Sequence, residues 1–93
     1  MLRILITDVS AQIVTLQLDG QISGRWVTLL ESTCEIPLKK GARIALDLNN
    51  VTFSDREGIT LLRSLADRQV EIRNALPFIA EQIRNSSPTG IGG

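Results

Sequence analysis

The sequence predicts an α/β domain in which about four strands form a mixed sheet and about three helices cover at least one of its faces. Two spacings of apolar residues carry this prediction, because alternation at every second residue is typical of strands and repetition every three or four residues is typical of helices. Along the 93 residues these spacings give the order β-β-α-β-α-β-α. A chain of this length corresponds to one domain, and a hairpin followed by helical crossovers favours a sheet with both antiparallel and parallel pairs.

Two strands are predicted at the beginning of the chain. The segment "LRILITD" places Leu2, Ile4 and Ile6 on one face, and "IVTLQLDG", which begins at Ile13, repeats the alternation. The polar link "VSAQ" between them is long enough for a turn and too short for a crossover helix. We therefore expect an antiparallel hairpin.

The first helix is predicted after this hairpin, with Ser23 as its cap and with Pro37 and Gly41 marking its end. Its inward stripe is predicted at Trp26, Leu29, Leu30 and Thr33, and Val27 and Cys34 widen it. We expect Trp26 to pack in the core or at its margin and the thiol of Cys34 to be buried and unreactive.

The third strand is predicted in "ARIALDLNNVTF", where Ala42, Ile44, Leu46 and Leu48 share one face. Ala45 on the other face is also small and apolar, a pattern typical of a strand covered on both faces.

The last three elements follow the same two spacings. Residues 54–68 have helical spacing through Ile59, Leu62, Leu65 and Ala66, "VEIRN" alternates as a fourth strand, and "ALPFIAEQIR" forms a short third helix with Pro77 near its first turn. The domain is predicted to span residues 1–84. Residues 85–93, rich in glycine, serine and proline, are predicted to be a flexible tail.

Composition excludes several classes of function. Ten basic and ten acidic residues cancel, so no net field attracts nucleic acid. The absence of histidine removes the usual general base, which argues against an enzyme. One cysteine and scattered aspartates such as Asp47 and Asp55 are too few ligands for a metal, and no phosphate-binding glycine motif is present, so no cofactor is expected. Without an export signal or a long apolar run, we expect a cytoplasmic protein that does not insert into membranes.

The segment "FSDREGIT" contains the candidate functional residues. Ser54 and Glu57 form the pattern S-x-x-E, which predicts a capping box in which each side chain bonds the other residue's amide. Asp55 adds negative charge to the first helical turn, where the helix dipole favours it. On the residues alone, Glu57 is a helix cap.

A family resemblance begins at this segment. From Leu16 to about Ile83 the chain resembles a STAS domain, the fold of bacterial anti-sigma factor antagonists, which regulate transcription through protein contacts. The densest match is "IALDLNNVTFSDREGITLLRSL". The positions that match the family's strand-to-helix motif are Asp47, Leu48, Val51, Phe53, Asp55 and Gly58.

The resemblance implies a partner surface with a substituted switch. In phosphorylated members of the family, the residue before the glycine is the serine or threonine that a kinase modifies; here Glu57 stands at that phosphosite position, after Arg56. Neither side chain can accept a phosphate ester, and a single carboxylate charge imitates phosphate only weakly. We define the helix-start surface as the candidate partner-binding residues Asp55, Arg56, Glu57, Gly58, Thr60 and Arg63.

Two functions remain open. The first is a non-catalytic protein-interaction module similar to an anti-sigma factor antagonist, whose partner is an anti-sigma factor or another kinase-like protein. The second is a cytoplasmic accessory subunit of an ABC-type lipid transporter, in which the same helix docks on the ATPase subunit. The polar stripe of Arg56, Thr60, Arg63 and Asp67 also fits an ordinary solvated helix face.

Overall fold

The computed structural model describes residues 1–10 and 12–85 and confirms the predicted fold class and element order. Four strands and three helices occur within these residues. The strands are β1 (Leu2–Ser10), β2 (Ile13–Ile22), β3 (Arg43–Ser54) and β4 (Glu71–Arg73). The helices are α1 (Arg25–Lys39), α2 (Arg56–Asp67) and α3 (Pro77–Asn85).

The strands form one mixed sheet in the order β1-β2-β3-β4. β1 and β2 are antiparallel, as predicted for a hairpin, whereas β2 with β3 and β3 with β4 are parallel. The predicted link between the first two strands is too long by two residues, because Val9 pairs with Val14 and Ser10 pairs with Ile13. The hairpin therefore turns more tightly than the sequence indicated.

The pairing of β3 with β2 contains two register shifts, which determine the direction of the side chains near the end of β3. Gln17 pairs with Asp47 but Asp19 pairs with Asn50, and a second shift follows before Gln21. The first shift inserts one extra residue into β3 and turns Val51 inward, and the second inserts another and restores the original alternation, with Ser54 inward. As a result Val51 is fully buried and Ser54 is 7% exposed at the strand's end.

The core lies on one face of the sheet, between the strands and all three helices. It joins buried residues of the strands, such as Leu16 and Leu46, to Leu30, Leu62 and Ile79 of the helices. Burial of apolar area of this kind is the main favourable contribution to folding.

β3 is covered on both faces at Ala45, as predicted, but the second face of the sheet is mainly polar and Ala45 lies outside the core cluster. Ala45 is only 1% exposed, but it pairs with Thr15 on one side and Glu71 on the other. Neighbouring polar side chains of the sheet therefore surround it.

α1 begins later and ends later than predicted. Its N-cap is Gly24 rather than Ser23, and the helix continues through Pro37 to Lys39. Proline is tolerated here because it removes only one amide donor in the last turn. Gly41, with φ +82°, donates to the carbonyl of Leu38, while Ala42 donates to the carbonyl of Pro37. This is a Schellman ending, in which glycine adopts the left-handed conformation at low cost.

The remaining helices differ from prediction in detail. Ala66 of α2 is exposed, and Leu61 takes its expected place among the buried residues of that helix. α3 extends to Asn85, one residue past the predicted domain boundary, and the rest of the predicted tail, residues 86–93, lies outside the described residues. None of the helices in the described part of the chain combines the length and apolar composition needed to cross a lipid bilayer.

Candidate functional site at the start of α2

Asp55 is the cap of α2, so the predicted capping box is wrong. The backbone of Asp55 is extended, with φ −79° and ψ −178°, and its Oδ1 accepts a hydrogen bond of 2.7 Å from the amide of Gly58. Ser54 is the last residue of β3, and its buried hydroxyl donates to the carbonyl of Asp55 at 3.2 Å. The cap therefore lies one residue later than the sequence pattern indicated, because the strand carries Ser54 into the core.

The same carboxylate also holds the start of α1. Oδ2 of Asp55 accepts a hydrogen bond of 3.0 Å from the amide of Gly24, and the Asp55 amide donates to the carbonyl of Ile22 at 3.0 Å. A carboxylate accepts charge-assisted bonds, which are stronger than neutral ones. Asp55 thus fixes the beginnings of two helices relative to the end of β2.

Gly24 makes this contact possible through its backbone. Its φ of +57° and ψ of −134° lie in a region that is accessible almost only to glycine. The chain turns there, so that Trp26 donates from its amide to the carbonyl of Ser23 at 3.1 Å. Because this turn precedes the helix, the Gly24 amide is free to point at Asp55.

Gly58 is required for a different reason, namely space. A Cβ atom built at this position would lie 2.3 Å from Oγ of Ser54 and 2.8 Å from the carbonyl oxygen of Ile22. Both separations are shorter than van der Waals contact. α2 therefore approaches the ends of β2 and β3 as closely as it does because residue 58 has no side chain.

The outward residues of the helix-start surface carry unpaired charge. Arg56 and Glu57 are exposed, and Arg63, two turns further along the helix, is half-buried. Within residues 1–10 and 12–85, these three side chains make no hydrogen bond or ion pair. The hydroxyl of exposed Thr60 donates to the backbone carbonyl of Arg56 at 3.0 Å. The six predicted residues thus divide into a support, formed by half-buried Asp55 and buried Gly58, and a polar face of Arg56, Glu57, Thr60 and Arg63.

Two neighbouring residues were missed by sequence reasoning. Arg25 is the first residue of α1, and its guanidinium carbon lies 5.4 Å from the centroid of the Trp26 ring, within the range of a cation–π contact. Phe53, the penultimate residue of β3, is 45% exposed. Phe53 was visible as a motif position, but its exposure was not predicted from the sequence. Nothing in the sequence indicated a role for Arg25 beyond its position directly after Gly24.

Other candidate chemistry in the described residues lies elsewhere. Asp47 accepts bonds from the amide of Asn49 and from Nδ2 of Asn74, at 2.9 and 3.1 Å, so it does not pair with Asp55. The described part of the chain contains no group of three potential metal ligands. Burial raises the pKa of the Cys34 thiol to about 11, which keeps it protonated and poorly nucleophilic near neutral pH.

An open cleft of about 350 Å³ lies between β4 and α3. Its lining residues are Ile72, Asn74, Ala75, Ala80, Ile83 and Arg84, none of which belongs to the helix-start surface.

Comparison with solved structures identifies the fold. The structure of the anti-sigma factor antagonist SpoIIAA in its unphosphorylated form matches this chain with a TM-score of 0.67. The match covers 85% of this chain and 79% of SpoIIAA, at 18% sequence identity. The chain has the STAS fold. The fold predicted from the motif around Asp55 and Gly58 is therefore confirmed.

Comparison of sequences gives no match. No protein-family model matches the chain, and no curated protein matches it significantly. At 18% identity to SpoIIAA, the similarity lies in the backbone arrangement and does not extend to the roles of individual side chains.

Proposed function

We propose that the chain is a non-catalytic, cytoplasmic protein-interaction module that binds its partner through the helix-start surface. The observation that carries this proposal is that charged side chains without partners extend from a backbone that is held firmly in place. Asp55 anchors the starts of both α1 and α2, while Arg56, Glu57 and Arg63 find no partner within the described residues. A rigid backbone loses little conformational entropy when a partner binds, and the unpaired side chains are available for contacts with that partner.

The charge of this surface favours a partner with an acidic patch. Arg25 and Arg56 are the first residues of two helices whose starts share the Asp55 carboxylate, and Arg63 lies two turns along α2. Glu57 is the exposed acid among them. Arginine forms paired bonds with carboxylates and is enriched among residues that dominate interface energies. We therefore place the main contacts on Arg56 and Arg63.

Phosphorylation does not regulate this surface at residue 57. Glu57 stands where the resemblance to STAS domains places a phosphorylated hydroxyl, and a carboxylate cannot form the ester. Glu57 is also the acidic residue of the first turn of α2, where negative charge interacts favourably with the helix dipole. We infer a module that binds its partner constitutively or is regulated by a different event.

Two partner classes are compatible with this surface. One is an anti-sigma factor or another kinase-like protein, which would make the module part of a signalling pathway that controls transcription. The other is the ATPase subunit of an ABC-type lipid transporter, with the chain as accessory subunit. The similarity to SpoIIAA favours the first.

The test is capture of partners from native lysate by four matched baits: the natural chain, Glu57→Ser, Arg56→Glu combined with Arg63→Glu, and Arg43→Glu. Arg43 is an exposed arginine at the opposite end of β3 and controls for a change of charge alone. We expect the natural and Arg43→Glu baits to retain the same kinase-like protein and the double variant to lose it. Mass spectrometry identifies the protein and any phosphate on Glu57→Ser.

The alternatives give different results. Capture of a transporter ATPase by the natural bait, lost in the double variant, would replace the signalling role with the transporter role. Equal capture by the double variant and Arg43→Glu would show that the helix-start surface is not part of the interface. Turnover of a substrate by the purified chain would contradict a non-catalytic module.

A further inference from the structure

The two edges of the sheet differ in how they are protected against pairing with another strand. β4 is three residues long, and its Glu71 and Arg73 are joined by a 2.8 Å ion pair. Short length and charge both discourage edge pairing. β1 is nine residues long, and Leu5, Ile6 and Val9 are 39%, 67% and 65% exposed. β1 is therefore the edge that is open to a further strand.

The hydrogen-bonding groups of β1 that point outward can be assigned from its pairing with β2. The amide of Gln21 donates to the carbonyl of Met1 at 2.9 Å, so residue 1 faces β2. Antiparallel pairs alternate between bonded and non-bonded positions. Residues 3 and 5 consequently face β2 as well, and the amide and carbonyl groups of Leu2, Ile4 and Ile6 point away from the sheet.

We propose that β1 pairs in antiparallel fashion with β1 of a second copy of this chain, around a two-fold axis at Leu5. In this register Ile4 of each copy exchanges two backbone hydrogen bonds with Ile6 of the other, because both residues have outward groups. The two Leu5 side chains meet on the axis with Cα atoms about 4.5 Å apart, the spacing of a non-bonded pair. The contact covers Leu5 and Ile6, which the fold leaves exposed.

A second copy fits this edge for reasons of charge and symmetry. The chain has no net charge, so two copies do not repel each other at long range. The positive charge of Arg3 is compensated by Asp19 at 3.3 Å. A two-fold contact uses the same patch on both subunits and therefore forms a closed dimer. The protected edge at β4 prevents further copies from adding to the sheet of this dimer.

The pairing register shifts between Ile6 and Asp8, which limits the new strand pair to a short segment. Such a contact falls in the class of small interfaces, below about 1,200 Å² of buried surface, that form and dissociate readily. We therefore expect a reversible dimer whose population rises with concentration. The helix-start surface shares no residue with this contact.

Analytical ultracentrifugation over a range of concentrations tests the dimer. Ile6→Lys places a charge in the contact, and Ile36→Lys is its control because Ile36 of α1 is similarly exposed, at 63% against 67%. We expect the natural chain and Ile36→Lys to dimerise equally and Ile6→Lys to have a Kd at least about tenfold higher. A monomer at every concentration, larger assemblies, or equal behaviour of the two lysine variants would overturn the proposal.

Cross-linking tests the register. Leu5→Cys brings two thiols together on the axis, at a Cα separation within the range that disulfides accept, whereas Leu29→Cys places a thiol on α1 at a similar exposure, 43% against 39%. Cys34 is buried in both variants. With oxidised glutathione as the oxidant, we expect a covalent dimer of Leu5→Cys to form much faster than one of Leu29→Cys. Equal rates would overturn the register and with it the two-fold pairing.

Discussion

The starts of α1 and α2 are built in opposite ways although they lie side by side. α2 begins with a side-chain cap, Asp55, whose carboxylate accepts the amide of Gly58 three residues later. α1 begins at Gly24, which has no side-chain cap of its own and donates its amide to the same carboxylate from 31 residues earlier in the chain. One residue therefore organises two helix starts, of which only the local one has a sequence pattern.

The glycines of the two starts also differ in what they provide. Gly24 provides a backbone conformation, and nothing lies within 4 Å of a Cβ atom built there. Gly58 provides space, since a Cβ atom would overlap Ser54 and Ile22. Substitutions at α2 should consequently act through packing and through the shared carboxylate, and these two effects can be separated.

The largest expected effect is that of Gly58→Ala. Alanine is favoured over glycine in a helix by about 1 kcal/mol, but the new methyl group must displace Oγ of Ser54 and the carbonyl of Ile22. Overpacking of this kind typically costs about 1–3 kcal/mol, and we expect the upper end of this range because one of the overlapping atoms belongs to the backbone. We expect a net decrease in the free energy of unfolding, measured by urea denaturation.

The hydroxyl of Ser54 provides the control for this prediction. Combining Ser54→Ala with Gly58→Ala removes the shortest overlap and leaves those with the carbonyl oxygen and Cγ2 of Ile22, at 2.8 and 2.9 Å. The double variant should recover part of the lost stability. If Gly58→Ala is as stable as the natural chain, the close approach of α2 to β2 is not a constraint.

The next largest effect belongs to the shared carboxylate. Asp55→Ala removes both accepted bonds, and loss of a helix cap typically costs about 0.5–2 kcal/mol. Asp55→Asn retains one acceptor oxygen and should fall between alanine and the natural residue. Glu57→Ala should change the free energy of unfolding by less than about 0.5 kcal/mol, because its exposed carboxylate accepts no bond. Urea denaturation of all three variants in parallel would rank their free energies of unfolding. A larger decrease for the Glu57 variant than for the Asp55 variants would support the capping box of Ser54 and Glu57.

The sequence was sufficient for the fold because each element has a periodic apolar face. Alternation in β1 and β2 and helical spacing in α2 each reflect burial on the same side of the sheet. The motif from Asp47 to Gly58 led to the correct fold. It also led to the choice of the six residues of the helix-start surface, which lie within the motif or shortly after it. Their role in binding stays a prediction.

The sequence was insufficient where a distant contact decides the local structure. The cap lies at Asp55 and not at Ser54 because β3 continues to Ser54 and buries this residue at the strand's end. The partner of the Gly24 amide depends on a residue that only the assembled sheet brings close. Exposure of Ile6 followed from its place on an edge strand, which alternation does not reveal.

The smallest expected effect tests the other ends of the same two helices. There Glu35 of α1 and Arg68, the C-cap of α2, form an exposed ion pair with Nη1 to Oε2 at 2.7 Å. The hydrogen bond from Arg68 lowers the pKa of Glu35 below its ordinary value of 4.5. A lowered pKa means that the pair stabilises the fold above the unfolded-state pKa and that this contribution is lost as the pH falls through the folded-state pKa.

Glu35→Gln should therefore have a slightly lower Tm than the natural chain at neutral pH, and the difference should close as the pH falls below 4.5. The decrease should be smaller than that of Asp55→Ala, because both partners are exposed to water and salt weakens their attraction. Glu81→Gln, at an exposed position on α3, controls for removal of a charge. A Tm difference that persists unchanged into acid would show that Glu35 stabilises the last turns of α1 and α2 by packing instead of charge.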